Sequence, residues 1–247
     1  MNRNCVYYCL YGDVAYKQLL ETSLRSLSKY LPKENIVVFS EYEIGELEGY
    51  CRILKTEFPK GHASPMGYRL ILGANLLEQY QRIIHLDVDT VVTGNIDDVF
   101  NEIKQGEISF ATENVDHPDK IIGDFWAGPL LTQEEKDRYK DIDSICCGIF
   151  GFDRSTSHRL KEIYNFIVEC ERNGFYGRCC DQHAFAAYVL KNNLFNFTLQ
   201  KHVTHISQRL LWEGRIDSNI KVHHFAGGVT SEGKHQLMKE LLTIIGG

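Results

Sequence analysis

Two carboxylates one residue apart lie within an apolar run, Arg82-Ile83-Ile84-His85-Leu86-Asp87-Val88-Asp89-Thr90-Val91-Val92. Ile83, Ile84, Leu86, Val88, Val91 and Val92 are the residue types of a buried strand. Residues i and i+2 of a strand share a face. Asp87 and Asp89 are therefore expected side by side at the carboxyl end of a sheet, where open α/β sheets bind ligands. Two buried like charges repel, so either one takes up a proton or a cation joins them. Paired hard oxygens suit Mg²⁺ or Mn²⁺.

The elements that must hold this pair alternate along the first third of the chain. Residues 6–10 read as a strand, followed by a turn at Tyr11-Gly12-Asp13. Leu20, Leu24, Leu27 and Leu31 recur at helical spacing, and Pro32 closes that segment. Strands are expected at 36–40 and 51–54, then a helix at 66–80 with Leu70, Ala74 and Leu77 on one face. Asn95 opens a short capped helix ending at Phe100, and 107–113 reads as a strand. This β-α-β-α-β order implies an α/β fold with a mainly parallel, twisted sheet and helices on both faces.

The second half is less regular. A long loop is expected at 117–128, a short helix at 132–139 and a strand at 147–152. Helices at 155–172 and 181–191, strands at 195–199 and 221–225, and a terminal helix at 231–245 complete the pattern. No repeat, low-complexity tract or linker divides the chain, so one domain over 1–247 is expected.

Composition narrows the class. At 247 residues there is room for a proper core, and 43% hydrophobic with 24% charged residues is ordinary globular usage. The formal net charge of -6 argues against a nucleic-acid surface, and an anionic phosphate ligand would need a metal or a basic pocket. Charges interrupt every apolar run well before the ~18 residues of a membrane span. The chain opens on Met1 without the long apolar region of a signal peptide, so a complete, unsecreted chain is expected. Eight cysteines, among them the pairs Cys146–Cys147 and Cys179–Cys180, show no C-x-x-C or zinc-like spacing. Cys5 and Cys9 fall on one strand face. Reduced core thiols in a cytoplasmic protein are expected, and the sequon Asn196-Phe197-Thr198 reads as chance.

Several stretches then line up in order: the strand with its Tyr-Gly-Asp turn and helix, Gly67-Tyr68-Arg69-Leu70, Asp87-Val88-Asp89, Cys147-Gly148-Ile149-Phe150, Asp181-Gln182, and His224-Phe225-Ala226-Gly227. This set resembles the GT-A glycosyltransferases, most closely family 8, which includes glycogenin and bacterial lipopolysaccharide galactosyltransferases. The resemblance spans about residues 6–239. It implies the GT-A fold, a UDP-sugar donor, a saccharide, lipid-linked or protein acceptor, and hexose transfer with retention of configuration. It implies that Asp87, Asp89 and His224 hold Mn²⁺ (or Mg²⁺) against the donor's diphosphate. His223 would then point to the opposite strand face. It further implies that Tyr11 and Tyr16 lie at the nucleobase, that Arg69 contacts the nucleotide sugar and that Lys234 contacts the β-phosphate. Asp181 would bond sugar hydroxyls, with Gln182 under the anomeric carbon. The spacing also suits Asp181 as a helix N-cap. The chain departs from the family twice. Lys234-His235-Gln236 replaces Lys-Pro-Trp, and Cys146-Cys147-Gly148 replaces an Asn-containing triplet. Trp126, in the loop 116–132, is expected to stack on an acceptor sugar.

Two other readings use the same residues. Asp87-Val88-Asp89-Thr90-Val91 also fits the signature of haloacid-dehalogenase-like phosphatases, with Asp87 as phosphoryl nucleophile and Asp141-Ile142-Asp143 as a later acidic pair. That motif normally sits on a first strand, whereas here more than eighty residues precede it. The third reading is a GT-A-like domain that binds a nucleotide sugar without transfer.

Overall fold

The computed structural model describes residues 4–113, 119–124, 126–175, 181–205, 211, 213–214, 216–217, 219–225 and 230–246. In chain order the elements are β1 (Asn4–Leu10), α1 (Tyr16–Leu27), β2 (Ile36–Ser40), β3 (Arg52–Lys55), α2 (Ser64–Leu76), β4 (Arg82–Leu86), β5 (Thr90–Val92), α3 (Asp97–Asn101), β6 (Ile108–Thr112), α4 (Gln133–Tyr139), β7 (Ile145–Asp153), α5 (Ser157–Arg172), α6 (Gln182–Lys191), β8 (Phe195–Asn196), β9 (Val203–His205), β10 (Val222–His224) and α7 (Ser231–Gly246).

Seven strands form the central sheet in the order β3-β2-β1-β4-β7-β6-β8. Only β7 runs against the rest, pairing antiparallel with β4 and β6. The sheet is mainly parallel, as the element order implies. Its central strands are near-continuous apolar runs because both faces are covered. On one face α2, α5 and α6 pack over Tyr7, Val37, Phe150 and Phe152. On the other, α1 and α3 pack over Val6, Tyr8, Val38 and Ile84. Among the described residues no helix is long and apolar enough to cross a membrane. Cys5, Cys9, Cys51, Cys146, Cys147 and Cys170 are free thiols, and the pair 179–180 lies outside the described residues.

The run 82–92 is two strands rather than one. β4 ends at Leu86, and β5 belongs to a second sheet of three strands ordered β5-β10-β9. The break has a local cause. The Asp87 backbone N–H makes a last bond to the Gly148 carbonyl (2.8 Å), and the Thr90 hydroxyl then donates to the Asp87 carbonyl (2.9 Å), closing a turn. The Phe225 N–H donates to the Asp89 carbonyl (3.0 Å), tying the turn to the end of β10. α7 covers the small sheet through Leu237, Met238 and Leu241, which pack with Val91 and Phe225.

Other boundaries move for similar reasons. The strand at 195–199 stops at Asn196, whose Oδ1 accepts from the Thr198 N–H (3.1 Å) and hydroxyl (2.6 Å), turning the chain into a 3₁₀ helix. Asn95 Oδ1 accepts from the Asp97 N–H, but Ile96 is the residue that precedes α3. β9 was not foreseen, since Val203-Thr204-His205 is too short to show a period.

Candidate metal and donor site

Asp87 leaves β4 at its carboxyl end, Asp89 leads into β5, and His224 ends β10. Among the described residues these three offer ligand atoms that all lie within 4.8 Å of one another. His224 Nε2 stands 3.1 Å from Asp89 Oδ1 and 3.8 Å from Asp87 Oδ2. The carboxylates meet across a turn, not along a strand face, and the third group arrives from the second sheet. β7 supplies the floor. A Cβ on Gly148 would fall 2.4 Å from His224 Cε1 and 2.6 Å from Asp87 Oδ2, so only glycine leaves this space open. His223 points away, its Nε2 3.0 Å from the Thr93 hydroxyl, as strand alternation requires.

The donor set fits a divalent cation. Two carboxylates and an imidazole are hard and borderline ligands suited to Mn²⁺ or Mg²⁺. Asp89 Oδ1 is buried and makes no hydrogen bond, although the His224 ring nitrogen is close to it. The ion pair with His224 leaves that oxygen lone-pair capacity for a cation. Burial works against ionising Asp89, but His224 and Lys234 outweigh it and hold its carboxyl well below the usual range. For Asp87 burial is likewise outweighed, by His85 and Arg69, and its carboxyl is also held down. Burial opposes a charged His224, yet Asp89 and Cys146 raise its pKa well above the ordinary value. A cation bound there would displace that proton.

Around the carboxylates a cleft of about 440 Å³ is lined by Tyr11, Tyr16, Arg69, Asp87, Asp89 and Lys234 among others. The structure thus gathers six of the expected residues in one place. Lys234, in the first turn of α7, places Nζ 2.6 Å from Asp89 Oδ2. Tyr11 stacks on Phe58 with ring centroids 4.6 Å apart, while Tyr16 is more exposed. Arg69 is not a surface helix arginine: at 7% exposure it donates to Asp181 Oδ2 (2.8 Å) and Asp87 Oδ1 (3.4 Å), leaving Nε without a partner. Asp181 is joined to the site through that arginine. Its side chain makes no capping bond to α6, because it is turned inward to the guanidinium. Burial pushes its carboxyl up against the pull of Arg69. Gln182 opens α6, half-buried, and does not line the cleft. A second hollow of about 790 Å³, beside Gln18, Glu21, His235 and Lys239, has no such convergence of groups.

Three contributions escaped sequence reasoning. His85, on β4, is buried with Nε2 3.0 Å from Asp87 Oδ1, and burial lowers its pKa to about 4. The period-2 relation to Asp87 was a usable signal. Cys146 Sγ lies 3.4 Å from His224 Nδ1, behind the imidazole. Glu113, beyond β6, has its carboxyl lifted to about 7 by burial, with His224 opposing. The acceptor expectation also fails: Trp126 is 5% exposed and packed in the core, so its ring is not free to stack on a sugar. Residues 116–118 and 125 of that loop lie outside the described residues. Asp143, proposed for the phosphatase reading, is paired with Lys120 (2.6 Å).

No family model matches the sequence, and no curated protein matches it. Among solved structures the fold is similar to that of mouse xyloside xylosyltransferase 1 in its apo form. The TM-score is 0.60 at 16% identity, over 90% of this chain and 97% of that one. The mixed α/β architecture is therefore the GT-A glycosyltransferase fold, and the likeness does not single out family 8.

Proposed function

We propose that the protein is a Mn²⁺-dependent glycosyltransferase that moves a hexose from a UDP-sugar to a saccharide, lipid-linked or protein acceptor, with retention of configuration. The observation that carries this reading is the Asp87, Asp89 and His224 cluster at the carboxyl end of β4 in a GT-A fold. When bound, the cation would neutralise the donor's diphosphate and stabilise charge on departing UDP. Lys234, already in the cleft, would add a positive charge at the phosphates. The Tyr11–Phe58 stack would present an aromatic face to the base, with Tyr16 beside it. Arg69, held by Asp87 and Asp181 at the wall of the cleft, would orient the donor, and a guanidinium fork suits phosphate and sugar oxygens. Asp181, joined to the cleft through Arg69, would accept bonds from sugar hydroxyls, while Gln182, outside the cleft lining, has no role. In a retaining transfer the departing phosphate accepts the acceptor's proton on the same face, so no carboxylate base is required. The free thiols accord with a cytoplasmic location.

The phosphatase reading is disfavoured because Asp87 Oδ1 is engaged by His85 and Arg69, and the fold is GT-A. The test is release of UDP from a panel of UDP-hexoses with Mn²⁺. UDP-xylose joins the panel because the similar mouse protein is named for xylosyl transfer. UDP release with one donor and Mn²⁺ is expected. A thermal shift of roughly 5–11 °C with UDP and Mn²⁺ at about 100 times Kd, but no UDP release, would assign a binding module. Release of phosphate from simple esters would revive the phosphatase.

A further inference from the structure

We infer that His85 is a positioning residue that turns the Asp87 carboxylate so that Oδ2 alone faces the cation site. The inference rests on the metal reading proposed above. His85 is 1% exposed on β4, and its ring lies between those of Tyr7 and Phe150, at centroid distances of 4.9 Å and 5.0 Å. The packing fixes the ring plane. A carboxylate oxygen only accepts, so the Nε2 that sits 3.0 Å from Asp87 Oδ1 carries the proton and donates. Nδ1 is buried without a hydrogen-bond partner, so the bond to Asp87 is the one that decides which nitrogen holds hydrogen.

The two oxygens of Asp87 are thereby divided. Oδ1 takes His85 and, at 3.4 Å, Arg69 Nη1. Oδ2 lies 3.8 Å from His224 Nε2, over the space that Gly148 leaves open. A carboxylate free to rotate would present either oxygen, or both. The His85 bond selects one and makes Asp87 a single-oxygen ligand. Partners of this kind orient the ligand and are commonly worth about 10–100-fold in metal affinity.

The experiment measures Mn²⁺ affinity by electron paramagnetic resonance on wild type, His85→Phe and His85→Gln, with unfolding curves for each. Phe keeps an aromatic ring between Tyr7 and Phe150 and removes the donor. Gln restores an amide N–H at similar reach. The expected result is a loss of about 10–100-fold in His85→Phe and recovery in His85→Gln. Unchanged affinity in His85→Phe, or Gln as weak as Phe, overturns the proposal. If the variants do not fold, the wild type decides by ¹⁵N resonance in the presence of Mg²⁺. A protonated Nε2 supports the proposal, and a protonated Nδ1 with bare Nε2 overturns it. Wild type that binds neither cation overturns both this inference and the metal-dependent transferase. Wild type that binds Mn²⁺ without releasing UDP from any donor overturns only the transferase, and the variants still decide the role of His85.

Discussion

At two places in the molecule a glycine lets a carboxylate crowd against a neighbouring element, and the two carboxylates end in different states. At Gly61 a Cβ would fall 2.3 Å from Ser64 Oγ and 2.8 Å from Glu171 Oε1. Glu171, in the last turn of α5, reaches the start of α2. Its Oε1 accepts from the backbone N–H groups of His62 and Ala63, and its Oε2 from the Ser64 N–H (3.0 Å) and hydroxyl (2.5 Å). Both oxygens are saturated by donors that otherwise lack helical partners. At Gly148 the outcome is reversed. Two carboxylates and an imidazole converge, and Asp89 Oδ1 is buried without a hydrogen bond. A saturated carboxylate holds structure together, while a converging set with a buried oxygen outside any hydrogen bond has capacity left for a ligand. Changes at the first place should alter stability and leave binding alone, whereas changes at the second should weaken binding, whatever they also cost in stability.

Asp89→Asn should have the largest effect. Metal ions supply several kcal/mol of charge stabilisation, so transfer should fall by roughly 10²–10⁴-fold at tenfold per ~1.4 kcal/mol. Cooperative unfolding should persist, since Lys234 can turn its charge toward solvent. Turnover near the wild-type rate with Mn²⁺ would break the comparison on its binding side. Gly148→Ala comes next. The added methyl must push His224 or Asp87 aside, so Mn²⁺ affinity should fall by about 10–100-fold. Overpacking of a well-filled site typically costs a further ~1–3 kcal/mol in stability. Titration with Mn²⁺ that showed wild-type affinity in Gly148→Ala would mean that the floor of the site is softer than the distances imply.

How far the sequence foretold these two places follows from what each depends on. Of the cluster at Gly148, Asp87 and Asp89 were legible as a carboxylate pair within an apolar run, and His224 only through the resemblance carried by the ordered motifs. Strands β1, β2 and β7 were legible because burial on both faces leaves long apolar runs. The break after Leu86 was not. Thr90-Val91-Val92 continues the same residue types, and the hand-over to the second sheet depends on the Phe225 N–H, which lies far along the chain. Arg69 could be read as a ligand contact or a surface residue. Its burial depends on two carboxylates 18 and 112 residues away. Trp126 looked available because aromatics in loops invite that reading, but tertiary packing claimed it. Glu171 carried no local signal at all, since the helix start it caps is 107 residues distant from it at Ser64.

Glu171→Gln is the smallest effect and the sharpest check on the structural side of the comparison. Burial opposes ionisation of Glu171, but the Ser64 hydroxyl and three backbone N–H groups outweigh it and bring its pKa to about 2, from 4.5. A folded-state pKa below the unfolded one means that the unfolded chain binds the proton more tightly. The stabilisation is therefore fully present above about pH 4.5 and is lost as pH falls toward 2. Losing a helix cap costs ~1 kcal/mol in ordinary hosts, and partial exposure of Glu171 keeps the figure near that value. In a chain of this size that is about 2–4 °C in Tm. Wild type should exceed Glu171→Gln by that margin at pH 7, and the two melting curves should converge as pH falls below 4.5. Mn²⁺ affinity should be the same in both proteins. A Tm gap that persisted unchanged at pH 2 would show that the carboxylate's charge is not what caps α2, because Gln and protonated Glu would then differ for another reason. A loss of Mn²⁺ affinity in Glu171→Gln would show that the α2–α5 seam, which carries Arg69 on its helix, is coupled to the site.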